Sequence, residues 1–349
     1  MTGVRTEAMT IWTVLNLAAA PDFPQRTDFT SDAFEGVYQF LAACPRFVWI
    51  MGGVIGILFL CNCLLLLRVK QQKHPGKQSP RQRDNIGSIH VGKVHGQGSR
   101  EYQQDSFGIS DPQRLDSCGV LAVVADGMGG LKNGDEISSA AVETILDGFL
   151  YSQGQGTPEQ VLLMLTQWSV REINAMLGPD HYRSGGSTLV AGLIKDGAFC
   201  WVSVGDSRIC LCRCGTLIPL TREHDFKQKL ALQAVNGEIP LQDVYTDKRK
   251  DGLVSFLGMG ALEQIDFPSQ PLPLFPGDRL ILMTDGVYNA LTDKEILEAL
   301  EKGADDAAKA LQAAIERKGY QDQDNYTAVI LTCEAEPAAS RKKEGRKKP

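Results

Sequence analysis

The stretch STLVAGLIKDGAFCWVSVGDSRICLCRCGTLIPLT, residues 187–221, decides the fold class. Apolar runs flank Asp196-Gly197, a dipeptide suited to the tight hairpin turns in which both central residues take positive φ. A second such turn is expected at Cys214-Gly215. Successive hairpins build antiparallel sheet, because parallel neighbours need crossover connections of about a dozen residues or more.

Outward from this core, an apolar strand is expected at 119–125, followed by helices at 135–152 and 158–177. The second helix repeats Val161, Leu162, Leu165, Trp168 and Ile173 at helical spacing. Downstream lie an irregular stretch at 222–260, a buried strand in DRLILMTDG, helices at 293–301 and 304–318, and a closing strand in NYTAVILT. Runs of strands alternate with paired helices, so the expected class is α+β, with antiparallel sheets packed together and covered by helices. No internal repeat is found.

Residues 48–67, VWIMGGVIGILFLCNCLLLL, carry no charge and one clearly polar side chain, Asn62, over a length that spans a bilayer as one transmembrane helix. The following RVKQQKHPGKQSPRQR holds Arg68, Lys70, Lys73, Lys77, Arg81 and Arg83 and no acid. By the positive-inside tendency this side faces the cytoplasm. The expected organisation is an extracytoplasmic segment 1–47, a transmembrane helix 48–67, a basic linker 68–85, a cytoplasmic domain 86–333 and a basic tail 334–349, attached to the cell membrane by one span. Within the first segment, MTIWTVLNLAAAPDF leaves open a cleaved signal peptide, which gives the same topology.

A formal charge of −6 on 349 residues provides no basic field that draws the whole chain to nucleic acid, and no nucleic-acid partner is expected. Nine scattered cysteines do not make the framework of a small disulfide-bonded domain, and they are read as reduced. Cys210, Cys212 and Cys214 alternate at period two and are expected on one strand face. A soft-metal site there lacks the second pair of ligands that structural zinc needs.

The chemistry-bearing residues share a local pattern. Asp126 in VVADGMGG, Asp206 in VSVGDSR, Asp285 in LILMTDGVYNAL and Asp324 in QDQDNYTAVIL each stand where an apolar strand ends or begins. Singly, such acids are ordinary turn residues. Gathered at one sheet edge they repel one another and lose hydration, and such a cluster calls for a cation. Oxygen donors without His or Cys suit Mg²⁺ or Mn²⁺. In GSREYQQDSFGI, Arg100 precedes Asp105, and an arginine fork beside such a cluster suits phosphate.

Taken in order, REYQQDS, VVADGMGG, GGSTL, VGDSR, LMTDGVYNAL and DNYTAVIL resemble the motifs of the metal-dependent type 2C Ser/Thr protein phosphatases in their bacterial form. The resemblance covers most of residues 86–333. It implies a four-layer α-β-β-α sandwich of two antiparallel sheets flanked by helix pairs, with two Mn²⁺ or Mg²⁺ ions at one end. By motif, Asp126 bridges both ions, Gly127 offers its carbonyl to one, and Asp285 and Asp324 complete the other's shell. Asp105 and Gln104 help hold metal-bound water, and Asp206 serves a third, weakly bound ion.

The implied reaction is dephosphorylation of phosphoserine and phosphothreonine proteins by metal-activated water, with Arg100 clamping the phosphoryl group, in opposition to a cognate Ser/Thr kinase. An alternative is a phosphoprotein-binding module without turnover, which predicts loss of acids that this sequence keeps. Gln103 departs from the family's usual Asn, and Met128 stands where many eukaryotic members carry His. His224, beside Asp225 in a flap-like segment at 222–260, is read as structural.

Overall fold

The computed structural model describes residues 86–128 and 133–336. The expected span at 48–67, its flanking segments 1–47 and 68–85, Gly129, Gly130 and the tail from 337 onward lie outside the described residues. Among the described residues no helix is long and apolar enough to cross a membrane. The chain divides into Met1–Pro80 and Arg81–Pro349, and every described residue belongs to the second unit.

In chain order the elements begin with β1 (Ile86–Gly96), β2 (Asp105–Ile109), β3 (Val120–Met128), α1 (Gly134–Ser152) and α2 (Pro158–Leu177). The hairpin region forms β4 (Gly186–Ser187), β5 (Leu189–Lys195), β6 (Ala198–Val204), β7 (Arg208–Arg213) and β8 (Thr216–Pro219). After these come α3 (Phe226–Val235), α4 (Asp243–Thr246), β9 (Leu272–Pro273) and β10 (Arg279–Met283). The chain closes with α5 (Asp285–Tyr288), α6 (Asp293–Leu300), α7 (Ala304–Lys318) and β11 (Tyr326–Ala335).

One sheet runs β1-β11-β10-β7-β8 and the other β2-β3-β5-β6-β9, with β4 beside β3. Every pairing is antiparallel. The expected turns form as read: Asp196 and Gly197 have φ of 52° and 70°, and Cys214 and Gly215 have 52° and 73°. Cys214 therefore occupies the turn and is exposed, while Cys210 and Cys212 are buried on the strand. The expectation that all three share a strand face fails because the turn claims the third. The described cysteines are all free.

Strand side chains alternate between two interiors. From β3, Leu121, Val123 and Ala125 pack under α1 and α2 with Ile145, Leu165 and Ile173. Val120, Ala122 and Val124 point the other way, against Leu280, Leu282, Val329 and Leu331 of the opposing sheet. On that sheet's outer face, Ile281, Ala328 and Ile330 pack with Ile296, Leu311 and Ile315 of α6 and α7. The three cores are the three spaces of an α-β-β-α sandwich. Strands buried on both faces read as continuous apolar runs, and each fully buried Leu or Ile side chain contributes about 2 kcal/mol.

Helix starts are written locally. Thr157 and Gln160 close a capping box with Pro158 in the first turn of α2, and Thr292 with Glu295 does the same for α6. The stretch expected to be irregular contains α3 and α4, and β11 continues through Ala335, two residues past the boundary expected at 333, because it pairs with Ile86 of β1.

Candidate metal centre

The inter-sheet space turns polar at one end. Asp105 of β2 pairs in register with Asp126 of β3, so both side chains leave the same face, the one that carries Val120, Ala122 and Val124 toward the opposing sheet. Asp126 is inside its strand rather than at the strand's end: Gly127 and Met128 continue pairing, with Ser187 and Gly186 of β4. The backbone of Asp126 is pinned on both sides. Its N–H donates to Thr188 Oγ1 at 2.9 Å, and its carbonyl accepts from Thr188 N at 2.9 Å and Ser187 Oγ at 3.0 Å.

Gly127 is required by close approach. A Cβ there meets the carbonyl oxygen of Gly134 at 2.0 Å and that of Gln104 at 2.6 Å, so only glycine lets α1 and the Gln104 loop close on the strand. Asp206 sits in the turn between β6 and β7, Asp285 opens α5 directly after β10, and Asp324 precedes β11. Asn325 staples two of these elements: it accepts from Gln104 N at 2.8 Å and donates to the carbonyls of Gln97 at 2.8 Å and Tyr102 at 3.0 Å.

These elements bring Arg100, Gln104, Asp126, Gly127, Asp206, Asp285 and Asp324 around one cavity of about 350 Å³, with Met128, Thr188, Leu253 and Asn325 completing its wall. Asp105 is the exception among the expected site residues. It lies behind this wall, 4% exposed, with Oδ2 accepting from Thr284 Oγ1 at 2.9 Å and Thr327 Oγ1 at 2.7 Å. Its Oδ1 is buried and has no hydrogen-bond partner. Arg100 and Asp324, read as phosphate clamp and metal ligand, face each other: Arg100 Nη2 donates to Asp324 Oδ2 at 2.6 Å.

The carboxylates carry the electrostatic cost of their company. Burial, with the Asp105, Asp285, Asp206 and Asp324 charges added, pushes Asp126 well above the usual carboxylate range. Asp105 is pushed up to about 7 by burial against the lowering effect of its two threonines, and Asp206 to about 7 by burial and then Asp285. Asp285 is raised by burial and then by Asp324. Among the described residues no three His, Cys, Asp or Glu side chains are already gathered closely enough to hold an ion. The donor set still fits a hard divalent cation: it is all oxygen, it is partly dehydrated, and it holds more negative than positive charge.

His224 is absent from the cavity wall. Its Nδ1 accepts from Gly205 N at 3.2 Å and its own N–H donates to Gly205 O at 2.9 Å, which fixes the turn before Asp206. Sequence reasoning missed the hydroxyls of Thr284 and Thr327 and the staple role of Asn325. The signal for Thr284 and Asn325 was their place beside Asp285 and Asp324, and for Thr327 its place at the start of the strand that follows Asp324.

Hard oxygen donors beside an arginine, at one end of a two-sheet sandwich, make a site whose chemistry suits divalent cations and a phosphoryl group. The sequence profile of the protein phosphatase 2C family matches residues 91–323, and the chain belongs to that family. It is 27% identical over 237 residues to the serine/threonine phosphatase stp of Listeria welshimeri, covering 66% of this chain and 90% of that protein. It superposes on the crystal structure of the Mycobacterium tuberculosis serine/threonine phosphatase PstP/Ppp with a TM-score of 0.58 at 25% identity, over 71% of this chain and 99% of that one. The fold is shared, at 24% identity and a TM-score of 0.55, by a PstP catalytic domain solved in complex with two manganese ions, over 71% of this chain and 99% of that one.

Proposed function

We propose that this chain removes phosphate from phosphoserine and phosphothreonine side chains of proteins in a reaction that depends on Mn²⁺ or Mg²⁺. The observation that carries the reading is the meeting of Asp126, Asp206, Asp285 and Asp324 with Arg100 on one cavity. Asp126, Asp285, Asp324 and the Gly127 carbonyl would hold two ions, and Asp206 a third and weaker one. When bound, such cations supply positive charge and acidify a water for in-line attack on phosphorus.

The chain's own residues do the rest. Thr188 and Ser187 lock the backbone of Asp126, so its carboxylate is presented without reorganisation. Arg100 is 58% exposed in its side chain and bonds Asp324 through Nη2, which leaves other guanidinium N–H groups for phosphoryl oxygens. Gln104 joins the wall through its loop, held by Asn325. Met128 brings no proton donor to the cavity, and water is the donor we assign to the departing seryl or threonyl oxygen.

The wider setting is part of the same proposal. The uncharged stretch at 48–67 and the basic run after it support a single-span membrane anchor, N-terminus outside, with the phosphatase in the cytoplasm opposing a Ser/Thr kinase. The full chain should hydrolyse a phosphothreonine peptide with Mn²⁺ and lose that activity with excess chelator. Turnover that persists in chelator would defeat the metal-dependent reading. Fractionation of cells should place the chain with membranes, and deletion of 48–67 should release it.

A further inference from the structure

His95 lies outside the acid cavity but is wired to it. It is the register partner of Thr327 in the β1–β11 ladder, and its Nδ1 lies 3.0 Å from Thr327 Oγ1. Thr327 Oγ1 is in turn 2.7 Å from Asp105 Oδ2. Each hydroxyl has one proton to give. Thr284 has already committed its own, donating to Asp105 while accepting from Thr327 N at 3.0 Å. Thr327 has a choice: its proton can go to Asp105, or to the histidine ring if Nδ1 is bare.

A neutral imidazole carries its proton on either nitrogen, and the partners of the ring decide which. The ring packs against Phe107 at 5.2 Å between centroids and lines an outer cavity with Asp105 itself, Ser106, Ser139 and Glu143. Asp105 Oδ2, a carboxylate oxygen 2.7 Å from Thr327 Oγ1, is a closer and stronger acceptor of that hydroxyl's proton than a ring nitrogen at 3.0 Å, so the hydrogen between Thr327 and the ring belongs on Nδ1. With the proton on Nδ1, Thr327 must turn its hydrogen to Asp105. Both hydroxyls then hold Oδ2, and Oδ1, buried and unpartnered, is the oxygen left for the acid cluster.

We propose that His95 is a positioning residue for the cluster: by donating from Nδ1 to Thr327 it commits that hydroxyl to Asp105 and fixes which carboxylate oxygen stays free. The inference rests on the reading of the cluster as a metal centre. Partners beyond a metal's own ligands typically set affinity by about 10- to 100-fold. His95 acts one bond further out, so a loss at the lower end of that range is expected.

The test is Mn²⁺ affinity of the full chain, measured by competition with a metal-sensitive dye, alongside thermal unfolding without metal. His95→Ala should weaken Mn²⁺ binding by about tenfold. His95→Asn, whose amide N–H replaces the Nδ1 donor, should restore affinity to within about twofold, and His95→Gln, whose amide reaches the Nε2 position instead, should not. In a Thr327→Val background His95→Ala should cost nothing further. Equal affinity for wild type and His95→Ala, equal loss for Asn and Gln, or additive losses with Thr327→Val would each overturn the proposal. Wild-type protein that binds no Mn²⁺ would instead overturn the metal reading on which it stands.

Discussion

Each end of the inter-sheet space has a cavity and an Arg–Asp pair, and the two ends are built on opposite terms. At the end where β1 begins, a cavity of about 600 Å³ is lined largely by apolar side chains, among them Ile86, Leu115, Ile194, Leu274 and Phe275. Beside it Arg213 grips Asp278 with two bonds of 2.9 and 2.6 Å, donates to Pro273 O, and stacks over Phe275. Asp278 also accepts from Phe275 N, and its side chain is 4% exposed. Every charge of that pair is closed. At the other end Arg100 holds Asp324 by one bond in the open, among three further acids that form no ion pair among the described residues. The larger cavity also carries Asp116 and Asp196, but both are exposed to water. Acids crowded together and partly dehydrated, rather than volume, distinguish the end to which we assign function.

The sharpest way to break that contrast is Asp126→Asn. Phosphatase activity should fall roughly a thousandfold or more, because the substitution removes a ligand shared by the proposed ions. The metal-free protein should become more stable in urea, since a buried, repelled carboxylate is gone. Unchanged turnover would show that the acid end is structural after all.

The next effect is on pH. Asp105 and Asp206 move from an ordinary 3.8 to about 7 in the folded protein, so between these values the folded chain binds more protons than the unfolded one. Stability of the metal-free protein should therefore fall as pH rises from about 4 to about 7, by several degrees in Tm, and level off above. Saturating Mn²⁺ should remove the fall, because the cation takes the place of the protons. Differential scanning calorimetry across that window checks both directions.

Two arginine–aspartate substitutions complete the comparison. Asp278→Ala strands a partly buried Arg213 and should cost about 3 kcal/mol in urea unfolding, with little change in turnover per folded molecule. Arg100→Ala should do the reverse: stability within about 1 kcal/mol of wild type, and kcat/KM lower by about a hundredfold. If both variants lose stability and activity together, the two ends are not distinct.

The sheets and helices were legible because local signals agree. Asp196-Gly197 and Cys214-Gly215 set antiparallel pairing, and the helices expected at 158–177 and 304–318 match α2 and α7 in their bounds. The set of acids was legible as well, through motif order. What the sequence could not yield was depth. Nothing in REYQQDS says that Asp105 stands behind the cavity wall, since that follows from β2 pairing with β3 in a register that aims it at Thr284 and Thr327 across the sandwich. The Arg100–Asp324 pair was equally hidden, because its members are far apart in sequence and meet only when the β1 and β11 ends are joined. Gly127 was read as freeing a carbonyl, and its visible constraint is the approach of Gly134 and Gln104.

The central claim is that the acid end is a metal centre held in waiting by protons and repulsion. Calorimetric titration of Mn²⁺ into metal-free protein near pH 7, repeated in buffers of different ionisation enthalpy, tests it most directly. Two ions should bind with release of protons, and both binding and release should be lost in Asp126→Asn. Binding without proton release, or no difference between wild type and Asp126→Asn, would contradict it.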